Sequence, residues 1–191
     1  MPDASYTARY PWYEVVNGSE LQQGDLLADC PSFVPPLKTV LGEGEQPVEF
    51  TTRNAIVMSQ SCDLELRKDG RCNVDQVILC PLYARSELQQ DATYGKPDGW
   101  EAARKGRHPS YHVLNKSELS GNEMDFQLVD LGRVFSLHVD LVRELASNQG
   151  PRLRLNPPYR EHLSQAFARF FMRVGLPVDI PSFTRSATHP A

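Results

Sequence analysis

Two unbroken apolar runs, Ala55-Ile56-Val57-Met58 and Val77-Ile78-Leu79-Cys80, constrain the fold of this chain more than any other feature. Each has strand length, as expected of central strands covered on both faces. Neither approaches the roughly 20 apolar residues that cross a bilayer, so no membrane span is expected. Turn formers are scattered rather than clustered. Fifteen prolines and 12 glycines in 191 residues imply many short elements and disfavour a helical bundle. No internal repeat or composition break marks a linker, so residues 1–191 read as a single domain that can bury a core without staples. Asp3, Arg9, Glu14, Glu20, Asp25 and Asp29 punctuate the start of the chain, which lacks an apolar core segment. No secretory signal is therefore expected, and the chain is assigned to the cytoplasm.

Around the two runs the pattern predicts further elements. Tyr10 to Val16, aromatic and β-branched, favours a strand or an extended cover over the core. Gly24-Asp25 is a turn signal directly before Leu26-Leu27, where a first barrel strand commonly begins. Cys30 to Gln46 holds Pro31, Pro35, Pro36, Gly42 and Gly44, which reads as a surface loop. Asp69-Gly70 marks a turn between the two runs. Residues 84–123 are polar and predict a short helix near Ser86 to Gln90, a mobile insertion, then a strand at Tyr111 to Leu114. Phe126 to Leu131 and Arg133 to Leu137 are strand candidates parted by a bend at Gly132. His138 to Ala146 reads as a short helix through Leu141, Val142 and Leu145. The final element is the clearest. Leu163, Ala166, Phe167, Phe170, Phe171 and Val174 recur at three- and four-residue spacing and form one apolar helix face over about 157–175. Asn156 is its expected N-cap, Pro157 or Pro158 suits the first turn, and Gly175 with Pro177 ends it. Residues 176–191 form an extended tail.

The net charge of −4 hides an asymmetry. From Glu14 to Glu49 there are seven acids and one base, Lys38, whereas Arg143 to Arg173 carries six arginines against Glu144 and Glu161. Such polarity supports contact with another protein or, at the basic end, with RNA; the alternative is that the halves neutralise each other on folding. Two basic groups stand out: the run Arg104-Lys105-Gly106-Arg107-His108, and the stripe of Arg169 and Arg173 behind Gln165 on the last helix. Each is a candidate RNA contact or simply a solvated surface. The oligomeric state is left open by the sequence.

Cysteines at 30, 62, 72 and 80 contain no C-x-x-C pair, and Pro109 separates His108 from His112, so no metal or cofactor is expected. Reduced cysteines acting as small core residues are the simpler reading. The most unusual string is Ser59-Gln60-Ser61-Cys62-Asp63-Leu64, placed just after a buried strand. Cys62 is a candidate nucleophile if His108 or His112 reaches it, although Asp63 beside it disfavours the thiolate. The competing reading is a turn in which Ser59, Ser61 and Asp63 satisfy backbone groups. Arg53, just before the first apolar run, is a candidate phosphate ligand. No phosphate-binding glycine loop, H-E-x-x-H or G-x-S-x-G is present.

The order of these pieces resembles the MazF/PemK toxin family. The segments that carry the resemblance are Gly24-Asp25-Leu26-Leu27, Arg53 to Ser59, Val77 to Leu82, Phe126 to Leu137 and the helix from Leu163 to Val174. The resemblance spans roughly residues 21–175. It implies a mainly β, α+β fold: a small SH3-like antiparallel β-barrel over about 21–155, with long loop insertions and a C-terminal amphipathic helix. It also implies a catalytic arginine at Arg53. The family's threonine after the apolar strand is replaced by Tyr83, and the proline after its arginine by Asn54. Those departures lead to the expectation of a non-catalytic interaction module, a bacterial accessory or regulatory protein of a defence or stress system that binds another protein. The alternative is an endoribonuclease or RNA-binding toxin using Arg53 with Ser59 or Tyr83, aided by Arg104, Lys105, Arg107, Arg169 and Arg173. A third reading is an enzyme or metal site that depends on Cys62 and Asp63.

Overall fold

In the computed structural model, which describes residues 10–34, 49–68 and 70–172, the two apolar runs are neighbouring antiparallel strands, with Ala55 opposite Pro81, Ile56 opposite Cys80 and Val57 opposite Leu79. The chain order is β1 (Tyr13–Val16), β2 (Leu26–Val34), β3 (Glu49–Val57), α1 (Ser61–Leu64), β4 (Gln76–Ala84), α2 (Pro97–Arg104), β5 (Tyr111–Leu114), β6 (Ser117–Leu119), β7 (Asn122–Met124), β8 (Gln127–Asp130), β9 (Phe135–His138), α3 (Val139–Gln149), β10 (Arg152–Leu155) and α4 (Tyr159–Phe171). Every strand pairing is antiparallel. Among the described residues no helix is long and apolar enough to cross a membrane.

Side-chain alternation along β3 and β4 divides the core between two faces. Ile56, Cys80 and Leu82 join Tyr13, Leu114, Val129, Leu131, Leu153, Leu155 and Leu163 on one side. Ala55, Val57, Val77 and Leu79 meet Leu21, Leu64 and the α3 residues Val139, Val142 and Ala146 on the other. Both faces are covered, as the unbroken runs predict. Burial of each leucine or valine contributes about 1.5–3 kcal/mol. β8 and β9 behave as one interrupted strand along β4, parted around Gly132, whose N–H donates to Asp130 Oδ1 at 3.0 Å.

The fold is α+β, with antiparallel sheets and a C-terminal helix. The sheet order is β2-β3-β4-β8-β5, and the β1-β10 pair joins it through a single bridge from Arg154 to Asp25. Among the described residues these pairings do not close a ring. A helix stands where a closing ladder would be: Tyr159 of α4 stacks on Trp12 beside β1 at 3.8 Å, and His162 of α4 meets His112 of β5 at 5.0 Å between ring centroids.

Three local expectations are corrected. Cys30 to Val34 is strand rather than loop, paired with Glu49 to Arg53. Pro31 is tolerated because β2 lies at the sheet edge, where a missing N–H costs no ladder bond. The remainder of that expected loop lies outside the described residues, as do Asp69, Arg173, Val174, Gly175, Pro177 and the tail. The helix expected near Ser86 to Gln90 is replaced by successive turns, and the insertion builds its helix at Pro97–Arg104 instead. Pro97, with its preset φ, occupies the first turn there. Trp100 and Ala103 then pack on Leu128, and the Trp100 indole N–H donates to Tyr94 O at 2.6 Å, so the insertion is seated on the sheet. Finally, α4 begins after both prolines, and Asn156 serves through its carbonyl, which accepts from Tyr159 N and Arg160 N at 2.9 and 3.1 Å. Its side-chain amide donates to Pro11 O instead of capping the helix.

Candidate functional site

The residues singled out in the sequence fall into separate places. Arg53 lies two residues beyond Ala55 and Tyr83 two beyond its partner Pro81, so both stand toward one end of the β3–β4 ribbon. Tyr83 is half-buried in the cluster around Trp100. Ser59 stands beyond the opposite end, six residues along the chain from Arg53, which at roughly 3.3 Å per extended residue is at most about 20 Å. It is buried, and its Oγ accepts a hydrogen bond from Ile78 N at 2.8 Å.

The Ser59-to-Leu64 string forms the end of β3's connection and the short α1. Ser61 Oγ accepts from Gln23 N at 3.1 Å, so two of its hydroxyls serve backbone groups. Cys62 is exposed and faces a cleft in which neither His108 nor His112 takes part. His108 Nδ1 instead lies 2.9 Å from Tyr94 OH. Cys30 and Cys80 are core thiols that burial, foremost, pushes up to about 12. Among the described residues no group of three or more histidine, cysteine or acidic side chains is placed to hold a metal ion.

The Gly24-Asp25 signal has partners that the sequence pattern did not reveal. Gly24 adopts φ +88° and hands its carbonyl to Leu155 N at 3.0 Å. Asp25 is fully buried and bridges two arginines of β10: Arg152 Nε and Nη2 donate to Oδ2 at 3.2 and 3.0 Å, and Arg154 reaches both carboxylate oxygens. Further guanidinium N–H groups donate to Gly18 O and Glu20 O. Part of the charge asymmetry is thus neutralised inside the protein.

Two basic groups do meet. A groove of about 370 Å³ runs between the end of α2, β5 and α4, with Arg104, Lys105 and Arg169 on its walls and Trp12 and Tyr111 offering rings. Arg104 and Lys105 pair with the half-buried Glu101 at 2.7 and 2.8 Å, while Arg169 reaches Gln165 Oε1 at 3.3 Å. Arg107 is exposed in the same run but does not line the groove. At the floor, His112 is 8% exposed and lies against His162. Burial first, and the neighbouring His162 second, lower its pKa from 6.5 to about 4. A buried neutral imidazole beside a second histidine and three cations offers hydrogen bonds and positive potential to an anionic chain. Sequence reasoning missed His162, although it lies one turn before Gln165 on the stripe that carries Arg169. No protein-family model, no curated protein and no solved structure matches this chain.

Proposed function

We propose that the chain is a non-catalytic interaction module, built on an SH3-like, incompletely closed sheet that resembles the MazF/PemK toxins, and that it acts as a bacterial accessory or regulatory protein of a defence or stress system by binding another protein. One observation carries the reading. Of the two hydroxyls offered as partners to Arg53, that of Ser59 is buried and accepts a hydrogen bond from Ile78 N at the opposite end of the β3–β4 ribbon, and that of Tyr83, at Arg53's own end, belongs to a ring half-buried in the cluster around Trp100. Tyr13 OH, which donates to Asn115 O at 2.6 Å, ties β1 to the chain just past β5 and supports the barrel-like reading. Incubation of purified protein with RNA tests the proposal: no cleavage is expected, and products that disappear in Arg53→Ala would overturn it. A pull-down from the native host then identifies the partner.

The groove favours a second reading, RNA binding without cleavage, because Arg104, Lys105 and Arg169 converge beside two aromatic rings. Aromatic platforms flanked by cations suit single strands. RNA binding at low salt that weakens steeply as salt rises supports this reading, and absence of RNA affinity at low salt removes it.

A further inference from the structure

The cleft in front of Cys62 has a volume of about 720 Å³, within the roughly 300–1,000 Å³ of small-molecule sites. Leu21 and Leu64, each 2% exposed, close its floor, and Leu66, 55% exposed, offers the apolar surface. Its walls carry Glu20, Glu65, Arg143 and Arg160, from four different parts of the chain. Arg143 is fixed by its own contacts: Nη2 donates to Leu64 O at 3.2 Å and touches Cys72 Sγ, Nη1 lies 3.8 Å from Asp140 Oδ1, and the side chain is 15% exposed. Arg160 is anchored by Glu161 at 3.1 Å, with its stem packed near Gly24. The pairing across the cleft is the informative feature. Two acids and two arginines line one concavity, yet among the described residues neither Glu20 nor Glu65 comes within 4.0 Å of either guanidinium. Two guanidinium groups held by their own partners thus face two exposed carboxylates that they do not pair with, that of Glu20 accepting from the Gln22 amide instead, and this arrangement is complementary to a molecule that carries both signs.

We infer that this cleft binds a small zwitterion with an apolar side chain, an ammonium and carboxylate pair such as a free apolar amino acid or a dipeptide. Arg143 and Arg160 take the carboxylate, Glu20 and Glu65 the ammonium, and Leu66 the side chain. Cys62, exposed at the rim, is a built-in reporter of occupancy.

Titration calorimetry of the full chain with L-leucine and with the dipeptide Leu-Gly tests the inference, and the tighter of the two distinguishes the sources. N-acetyl-leucine, which lacks the ammonium, and leucinamide, which lacks the carboxylate, are the controls. The expected result is heat with a zwitterion and slower iodoacetamide labelling of Cys62, with affinity weaker by about tenfold for each control and for Arg160→Gln, the value of one charge-assisted bond. Arg160 is chosen because Arg143 also supports the Leu64 carbonyl. No binding by either zwitterion, or binding by N-acetyl-leucine as tight as by leucine, overturns the inference. Because none of these measurements involves RNA or a protein partner, failure here leaves the interaction-module reading to its own tests.

Discussion

Arginine has opposite fates in two regions of this molecule. Arg152 and Arg154 are buried around Asp25, their N–H groups directed to carboxylate and carbonyl oxygens, whereas Arg169, with Arg104 and Lys105, stands in solvent around the groove beneath α4. Two buried guanidinium groups are tolerable only because a fixed counter-charge and fixed carbonyls replace water. The groove solves its own buried polar group differently: His112 stays neutral, because burial penalises its charged form and its ring neighbour is another histidine. One region pairs its charges in the interior; the other buries a side chain only in its uncharged form and keeps its cations at the surface, two of them paired with Glu101.

The sharpest way to break this contrast is Asp25→Asn, which strands two buried cations. Chemical denaturation is expected to show a loss of about 3–5 kcal/mol, and a triple replacement of Asp25, Arg152 and Arg154 by apolar residues of similar volume should recover most of it. In the groove, the equivalent lever is pH. The folded pKa of His112 lies near 4 against 6.5, so the unfolded chain binds the proton first as pH falls. Its contribution is fully present above 6.5 and is lost as pH drops toward 4, by up to about 3 kcal/mol. Urea midpoints across that window should fall accordingly, and His112→Phe should flatten the slope.

A smaller effect is expected at Gly24. Its φ of +88° disfavours a side chain, and a Cβ there would sit 3.0 Å from the Leu155 Cβ. Gly24→Ala should cost about 1–2 kcal/mol by denaturation, because it strains the turn that delivers Asp25 to β10. The smallest stability effect belongs to the exposed cations. Arg169→Gln with Lys105→Gln should leave stability within about 0.5 kcal/mol. If RNA occupies the groove, the same pair weakens low-salt binding and reduces the salt slope by about one unit for each phosphate that is no longer neutralised.

The strands built on Ala55 to Met58 and Val77 to Cys80, the helix after His138 and the core-facing residues of α4 were legible because each depends on local pattern. Leu163 is fully buried, and Ala166, Phe167 and Phe170 pack beside it, as their spacing predicts, whereas Phe171 of the same expected face is exposed at the end of the helix. The strand through Pro31 was not legible, since an edge position is a property of the sheet and not of the residue. The insertion helix was misplaced because its anchor, Trp100 on Leu128, joins residues far apart in sequence. The same holds for the candidate sites. Arg104 and Lys105 were visible as a basic run and Arg169 as a stripe, but their meeting in one groove depends on how α2 and α4 pack.

Local residue order sets the periodicities: which runs are buried on both faces, where an apolar helix face lies and where turns interrupt it. These follow from side-chain geometry within a few residues. Which charges meet depends on how the elements pack in space. Asp25 found Arg152 and Arg154 across some 130 residues, Ser59 was separated from Arg53, and Cys62 was set opposite Arg143 and Arg160 rather than a histidine. Electrostatic partners are chosen by distance and burial in space, and neither is encoded by spacing along the chain.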